Sequence, residues 1–160
     1  SGGELVVMAR QSAGVQALCE QDPVRWQTPF PTNQAALAHL AANAAGVLVS
    51  YADTVAAMPW CATSFPSKLV EYAHLGLPIA IVAPIDSAVG RWAKTHQFPA
   101  WFAPSDGASL RAWCDGLRNR ERWIERAAVS RHLARTLFDP LRIQSELANA
   151  ILAGTERRAA

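Results

Sequence analysis

Short, continuous apolar runs alternate with segments of helical periodicity along this 160-residue chain. Because continuous apolar strands joined by helices are typical of a parallel sheet covered on both faces, we predict an α/β fold. Right-handed crossovers make it a Rossmann-like three-layer α/β/α sandwich that ends in C-terminal helices. The predicted strands are 4–10, 24–30, 47–51, 78–84 and 100–104, and residues 52–64 are predicted to be mostly loop.

The composition is that of one folded domain spanning 1–160. It is 51% hydrophobic and 18% charged, which suits a globular chain with a real core. No apolar run approaches the roughly 20 residues that span a bilayer. The first residues, SGGELVVMARQ, lack the basic start and long apolar centre of a signal peptide, and we expect them to begin a fragment of a larger cytoplasmic protein.

Charge and cysteine usage narrow the function classes. The net charge is +2, and the cations concentrate between Arg111 and Arg142. They indicate a solvated helical face, or else weak contact with a membrane leaflet or lipid phosphate; no basic run interleaved with aromatics predicts nucleic-acid binding. Three widely spaced cysteines indicate a reducing compartment rather than disulfides or zinc, and no metal site is expected. The missing G-x-G-x-x-G turn weighs against a dinucleotide site.

The segment that follows strand 47–51 predicts an anion site. In parallel α/β sheets, ligands bind beyond the carboxyl ends of the strands, where helices begin. We predict a helix over about 66–75, with Pro66 in its first turn. The open amides of that turn, the Ser67 hydroxyl and the Lys68 ammonium suit a diphosphate. Glu71 shares the face of Ser67 and Lys68 and could accept hydrogen bonds from a ribose diol.

A second loop, PIDSAVG (84–90), leads into another predicted helix over 87–98. Ser87 could donate a hydrogen bond to the phosphates from the start of that helix. A plainer interpretation stays open for the whole pattern. Ser67, Lys68 and Glu71 could be helix capping and a surface ion pair, worth a few tenths of a kcal/mol.

FPSKLVEYAHLGLPIAIV (65–82) resembles the donor-site motif of GT-B-fold glycosyltransferases of the group 1, family 4-like type. That motif reads P-x-K-[LI]-x-E-Y-x-x-x-G-x-P-[IV] and falls on 66–79, and the resemblance is close over the whole quoted stretch 65–82. More loosely, VRWQTPFPTNQAALAHLAANAAGVLVS (24–50), WFAPSDGASLRAWCDGL (101–117) and RHLARTLFDPLRIQSEL (131–147) resemble other parts of the same domain. The resemblance implies the donor-binding, C-terminal part of a two-domain enzyme whose N-terminal acceptor domain is absent here.

The resemblance also implies residue roles. Ser67, Lys68 and Ser87 would meet the diphosphate of a UDP- or GDP-sugar, and Glu71 would hold the ribose. The nucleobase would lie near Trp26, Gln27 and Thr28, although Thr28 replaces the family's usual glycine. Many retaining members carry a second glutamate that touches the sugar; Thr63 occupies that position here. The family generally needs no metal, and no catalytic residue can be carried over.

Two further functions stay open from the sequence. One is a stand-alone Rossmann-like nucleotide-binding or regulatory module without catalysis. The other is a fragment of a GT-B-fold nucleotide-sugar epimerase, although acid–base residues for epimerisation are not evident. A full glycosyltransferase would act on a saccharide or lipid-linked acceptor at the inner face of the membrane, while the isolated chain would be inactive.

Overall fold

The fold is α/β, with parallel strands and C-terminal helices. A computed structural model describes residues 3–21 and 23–159, with side chains described as far as 152. The five strands are β1 (Leu5–Met8), β2 (Val24–Gln27), β3 (Val47–Ser50), β4 (Ile79–Val82) and β5 (Trp101–Phe102). The helices are α1 (Ala13–Cys19), α2 (Asn33–Asn43), α3 (Ser67–Ala73), α4 (Ala88–Thr95), α5 (Gly107–Gly116), α6 (Arg120–Arg135) and α7 (Pro140–Ala159).

Local sequence explains where these elements begin. Thr32 caps α2 by accepting a hydrogen bond from the Ala35 N–H at 3.1 Å, and Asn119 caps α6 in the same way from Arg122 at 3.0 Å. Gly76 follows α3 with φ of +66°, a conformation that costs glycine little. Within the predicted loop 52–64 the chain forms a 3₁₀ turn over Pro59–Ala62, with proline at its start.

The strands pair in parallel throughout, which confirms the Rossmann-like α/β/α class. They form two groups, however, rather than the single sheet expected from the alternation. β1 pairs with β2, and β4 pairs with both β3 and β5. Within the described residues no strand of the first group pairs with a strand of the second, so the strands do not join into one sheet.

The hydrophobic core lies in the second group and the helices around it. α6 packs on α3 and β4, while α4 and α5 pack on β5. Neither α1 nor α2 contains a buried residue. The core cluster consists of Val47, Val49, Leu69, Ala73, Leu77, Ile79, Ile81, Ala83, Val89, Ala93, Phe98, Ala100, Leu133 and Phe138.

Two kinds of feature are absent from the described part of the chain. No helix there combines the length and apolar character needed to cross a bilayer. Nor do three or more His, Cys, Asp or Glu side chains gather there in a way that could hold a metal ion.

Candidate functional site

Three helices begin at the carboxyl edge of the parallel strands. α2 follows β2, α3 follows β3 and α4 follows β4, so their first turns lie on the side of the fold where α/β proteins bind ligands. Their caps differ. Thr32 and Ser87 cap α2 and α4 with side-chain oxygens, while no side chain caps α3. The first turn of α3 is therefore the one whose amides no capping side chain satisfies.

The helix begins one residue later than predicted, so Pro66 precedes α3 instead of lying in its first turn. It is the residue flanking α3, with extended backbone (φ −73°, ψ 114°), and the helix begins at Ser67. The Pro66 carbonyl accepts a hydrogen bond from the Leu69 N–H at 3.0 Å. Ser67 is exposed, so its hydroxyl can reach solvent at the predicted position. With seven residues, α3 has a weak dipole. The positive charge at its start therefore comes mainly from the Lys68 side chain.

Asn33, Lys68 and Glu71 form a hydrogen-bonded group that we call the edge cluster. The Lys68 ammonium donates to Asn33 Oδ1 at 2.8 Å and to Glu71 Oε2 at 2.9 Å. The Asn33 amide in turn donates to Glu71 Oε2 at 3.1 Å. The cluster joins the first residue of α2 to the first two turns of α3, across more than thirty positions of sequence.

The edge cluster fixes the charge state of its carboxylate. The hydrogen bond from Lys68 lowers the pKa of Glu71; partial burial opposes this shift, and the Asn33 amide reinforces it. The side chains are 51% exposed for Lys68 and 29% exposed for Glu71, so both remain accessible to a ligand. Glu71 is therefore a carboxylate at neutral pH, held beside a cation that solvent can still reach.

The cluster has hydrogen-bonding capacity left over. An ammonium carries three N–H donors, and two of those on Lys68 go to Asn33 and Glu71. Both hydrogen bonds within the cluster to the carboxylate end on Oε2 of Glu71, which leaves Oε1 for a further donor. The arrangement can thus offer one charged donor to an anion and one carboxylate oxygen to a hydroxyl group.

Ser87 is placed at the start of α4, as predicted, but its hydroxyl is buried. Its Oγ donates to the Pro84 carbonyl at 2.6 Å and accepts from the Gly90 N–H at 3.0 Å, and the residue is 0% exposed. The hydroxyl proton is committed to Pro84, so a phosphate contact would require this bond to exchange. The role of Ser87 at the phosphates stays a prediction.

Thr63 lies on the exposed loop that leads into α3. Its hydroxyl contacts the Trp60 carbonyl at 3.4 Å, at the end of the 3₁₀ turn. Two contacts hold this loop against the rest of the protein. The Tyr51 hydroxyl donates to the Ser64 carbonyl at 3.0 Å, and the Cys61 side chain is fully buried. Thr63 is therefore held a few residues ahead of Lys68, and its contact with a sugar stays a prediction.

The proposed nucleobase residues lie apart from the edge cluster. Trp26 and Gln27 end β2, and Thr28 follows as an exposed residue. The Trp26 indole donates to the Ala9 carbonyl at 2.8 Å and lines a shallow depression with side chains of α1 and its flanks. That depression shares no residue with the edge cluster. Another shallow depression, at the far end of α3, contains Gly76 and Arg131.

Sequence reasoning missed the part that Asn33 plays. Thr32 caps α2, and the side chain of Asn33, the next residue, accepts a hydrogen bond from Lys68 of α3. The available signal was positional, because the first residues of α2 and α3 share one edge of the fold. The motif residues Lys68 and Glu71 are brought together as predicted, and Asn33 joins them.

Comparisons with protein-family models, with curated proteins and with solved structures found no match to this chain. The resemblance to GT-B glycosyltransferases therefore rests on the sequence motif alone. The geometry of the edge cluster is an independent observation beside it.

Proposed function

We propose that the chain binds a nucleoside diphosphate sugar and serves as the donor-binding domain of a glycosyltransferase. The edge cluster is the observation that carries this proposal. It sets a cation and a carboxylate together where parallel α/β proteins bind ligands. A nucleoside diphosphate offers an anion and a vicinal diol, which are the partners these two groups select.

Lys68 would bind the diphosphate. Its side chain is half exposed, and its ammonium retains one N–H donor beyond its bonds to Asn33 and Glu71. The uncapped amides at the start of α3 add donors next to it. When the bond between the sugar and the diphosphate of the donor breaks, the nucleoside diphosphate leaves with additional negative charge. A fixed ammonium and backbone N–H groups stabilise that charge, so the transfer would not need a metal ion.

Glu71 would bind the ribose. Its lowered pKa keeps it ionised, and its second carboxylate oxygen is available to accept hydrogen bonds from one or both ribose hydroxyls. The hydrogen bonds from Asn33 and Lys68 hold the carboxylate in one orientation. Glu71 therefore acts as a positioned acceptor rather than as a general base.

The remaining parts of the proposal follow the motif. The donor is expected to be a UDP- or GDP-sugar, with Trp26, Gln27 and Thr28 as candidates for the base and Thr63 for the sugar. A saccharide or lipid-linked acceptor would be bound by another domain. That transfer would take place in the cytoplasm, at the inner face of a membrane, and the described domain alone would bind donor weakly without turnover.

One observation favours a second candidate, a nucleotide-binding or regulatory module without catalysis. The edge cluster satisfies itself with three internal hydrogen bonds, as a purely structural contact would. Such a module would bind nucleotide, or nothing at all, with no difference between a nucleotide and the matching nucleotide sugar.

Calorimetric titration with UDP, GDP, ADP and their sugars tests the proposal. Glu71→Ala should weaken binding by about 1–3 kcal/mol, the usual value of a hydrogen bond to a charged group. Lys68→Ala should weaken the binding of UDP more than the binding of uridine, because Lys68 is proposed to contact the diphosphate. The exposed charges Lys94 and Glu125 give matched controls, Lys94→Ala and Glu125→Ala, that should leave binding unchanged.

Three results would count against the proposal. Absence of binding to any nucleotide would remove the donor site. Equal losses of UDP and uridine binding in Lys68→Ala would remove its phosphate role. Binding of UDP and a UDP-sugar with identical heat and affinity would favour the module without catalysis.

A further inference from the structure

Arg91 connects two loops that follow neighbouring strands of the second group. It is an exposed residue of α4, and its guanidinium donates hydrogen bonds to two backbone carbonyls. One is the Ala62 carbonyl, which ends the 3₁₀ turn just before Thr63 and lies 2.6 Å from Nη2. The other is the Asp86 carbonyl, in the loop from β4 to α4. We call these two hydrogen bonds the loop bridge.

The loop bridge is not a surface ion pair. Among the residues that the structure describes, Arg91 forms no ion pair with a carboxylate. Both of its acceptors are neutral main-chain groups. A guanidinium presents its N–H donors in a planar fork, so it can bind two oxygens at once in a fixed geometry. Arg91 therefore fixes the main chain of one loop relative to the main chain of the other.

The α4 side of the loop bridge is held in place by buried contacts. The Ser87 hydroxyl donates to the Pro84 carbonyl and accepts from the Gly90 N–H, and Ser87 is fully buried. Gly90, which precedes Arg91, approaches the Pro84 carbonyl so closely that a Cβ would lie 2.0 Å from its oxygen. Arg91 and the Asp86 carbonyl thus belong to one fixed unit.

The loop 52–64 has fewer connections to the rest of the fold. The Tyr51 hydroxyl donates to the Ser64 carbonyl, and the Trp60 ring packs edge-on against Tyr51 with centroids 5.5 Å apart. Tyr51 directly follows β3, so these contacts hold the loop only to its own strand. Among the described hydrogen bonds, the one from Arg91 is what joins this loop to α4.

We propose that Arg91 is a positioning residue that sets the spacing between the loop carrying Thr63 and the loop carrying Ser87. The sugar and the phosphates of a donor are expected at these loops, so this part of the inference rests on the proposed function. Arg91 acts through the main chain rather than by contact with the donor. It orders the loop of Thr63 before the donor binds, which lowers the cost of ordering that loop on binding.

The edge cluster does not depend on the loop bridge. α3 packs on α6, and its residues Leu69 and Ala73 are fully buried in the core. The edge cluster is further tied to α2 through Asn33. Loss of the loop bridge should therefore affect the sugar of a donor more than its nucleoside diphosphate.

Amide hydrogen exchange without nucleotide tests the loop bridge. The amides of Cys61, Thr63 and Ser64 are hydrogen-bonded within the turn, so their exchange reports local opening of this segment. In Arg91→Ala they should exchange about tenfold faster, the effect of losing one hydrogen bond from a charged donor.

Three controls make the exchange result specific. The amides of Ile81 and Ala83 donate toward β5, and their exchange should not change in Arg91→Ala if the effect is local. Lys94→Ala removes another exposed cation of α4 and should leave the turn amides unchanged. Arg91→Lys keeps the positive charge but lacks the planar fork, so its turn amides should exchange nearly as fast as those of Arg91→Ala.

Calorimetric titration of the same variants tests the positioning role. The ligands are UDP, GDP, ADP and their glucose conjugates, and the nucleotide that the unsubstituted chain binds most tightly is compared with its conjugate. Arg91→Ala should weaken binding of the conjugate by about fivefold, because the loop must then be ordered on binding. It should weaken binding of the nucleoside diphosphate by less than about twofold, because the edge cluster is intact.

Each part of the proposal can fail separately. Unchanged exchange of the turn amides in Arg91→Ala, an equal rise at Ile81 and Ala83, or slow exchange in Arg91→Lys would overturn the loop bridge. Equal losses for the nucleoside diphosphate and its glucose conjugate would overturn the positioning role. If the unsubstituted chain bound no nucleotide, the proposed function would fail, and the exchange rates would still decide whether the loop bridge exists.

Discussion

Gly90→Ala tests the tight contact between the start of α4 and the loop before it. A Cβ atom on Gly90 would lie 2.0 Å from the Pro84 carbonyl oxygen and 3.0 Å from Ile85 Cα. That carbonyl cannot move cheaply, because it accepts hydrogen bonds from both the Oγ and the N–H of Ser87, at 2.6 and 3.1 Å. We therefore expect the substitution to push the loop away and to disturb the buried cap.

The magnitude follows from three contributions. Overpacking a tight site costs about 1–3 kcal/mol, and loss of an N-cap costs about 0.5–2 kcal/mol. Replacing a helical glycine by alanine returns up to about 1 kcal/mol. The free energy of unfolding should thus fall by about 0.5–5 kcal/mol, and the Tm by about 2–4 °C for each kcal/mol.

Urea unfolding followed by circular dichroism measures this change. Gly107→Ala is the matched control, because Gly107 also lies in the first turn of a helix but a Cβ there would meet nothing within 4 Å. The control should be as stable as the unsubstituted chain or slightly more stable. If Gly90→Ala were equally well tolerated, the close approach of α4 to Pro84 would be wrong.

Three further substitutions test two helix caps and the ion pair of the edge cluster. Ser87→Ala should lower the free energy of unfolding by about 1–2 kcal/mol in chemical denaturation, because it leaves a buried Gly90 N–H without its acceptor. Thr32→Ala removes the exposed cap of α2, where water can replace the hydroxyl, and should cost less; equal losses would contradict the burial of Ser87. Glu71 has a lowered pKa, so its contribution is present above the unfolded pKa of glutamate and is lost as pH falls through the lower native pKa. With Lys68 half exposed, that contribution is at most about 1 kcal/mol, and the stability difference between the unsubstituted chain and Glu71→Gln should shrink between pH 7 and pH 3. A difference that does not vary with pH would show that the ion pair has no part in it.

The sequence predicted elements well where the local pattern was sufficient. VLVSY and PIAIVAP are continuous apolar runs bounded by glycine or proline, and they contain β3 and β4. The strands are shorter than predicted, since an apolar run can continue beyond the last residue that is hydrogen-bonded to the neighbouring strand. Parallel pairing was also correct, because neighbouring parallel strands need a crossover connection, which is usually a helix.

Strand pairing between the two groups was beyond local reasoning. An apolar β1 looks the same in sequence whether its second neighbour is present or not. Only the backbone bonds of Leu5 and Val47 show which edge of each strand is occupied. For the same reason, the expectation of one sheet gave way to two separate strand groups.

The candidate site was predicted in part. The helical spacing of Lys68 and Glu71 was enough to put them on one face, and they are in contact. The contact of Asn33 with α3 was not predicted, since it depends on how two helices distant in sequence are placed. A serine at a helix start predicts a capping group and a ligand group equally well. Ser87 caps α4, and its contact with a phosphate stays a prediction.

The buried thiol of Cys61 makes the opening of the loop ahead of the edge cluster measurable by its rate of alkylation. Cys61 has no exposed surface within its 3₁₀ turn, whereas Cys114 is an exposed residue. An alkylating reagent can therefore reach Cys61 only in those moments when the turn opens. Cys114 reacts without such an opening, although partial burial raises the pKa of its thiol and slows it. The ratio of the alkylation rates of Cys61 and Cys114 therefore measures how often the segment that carries Thr63 opens locally. No label has to be introduced into the chain for this measurement.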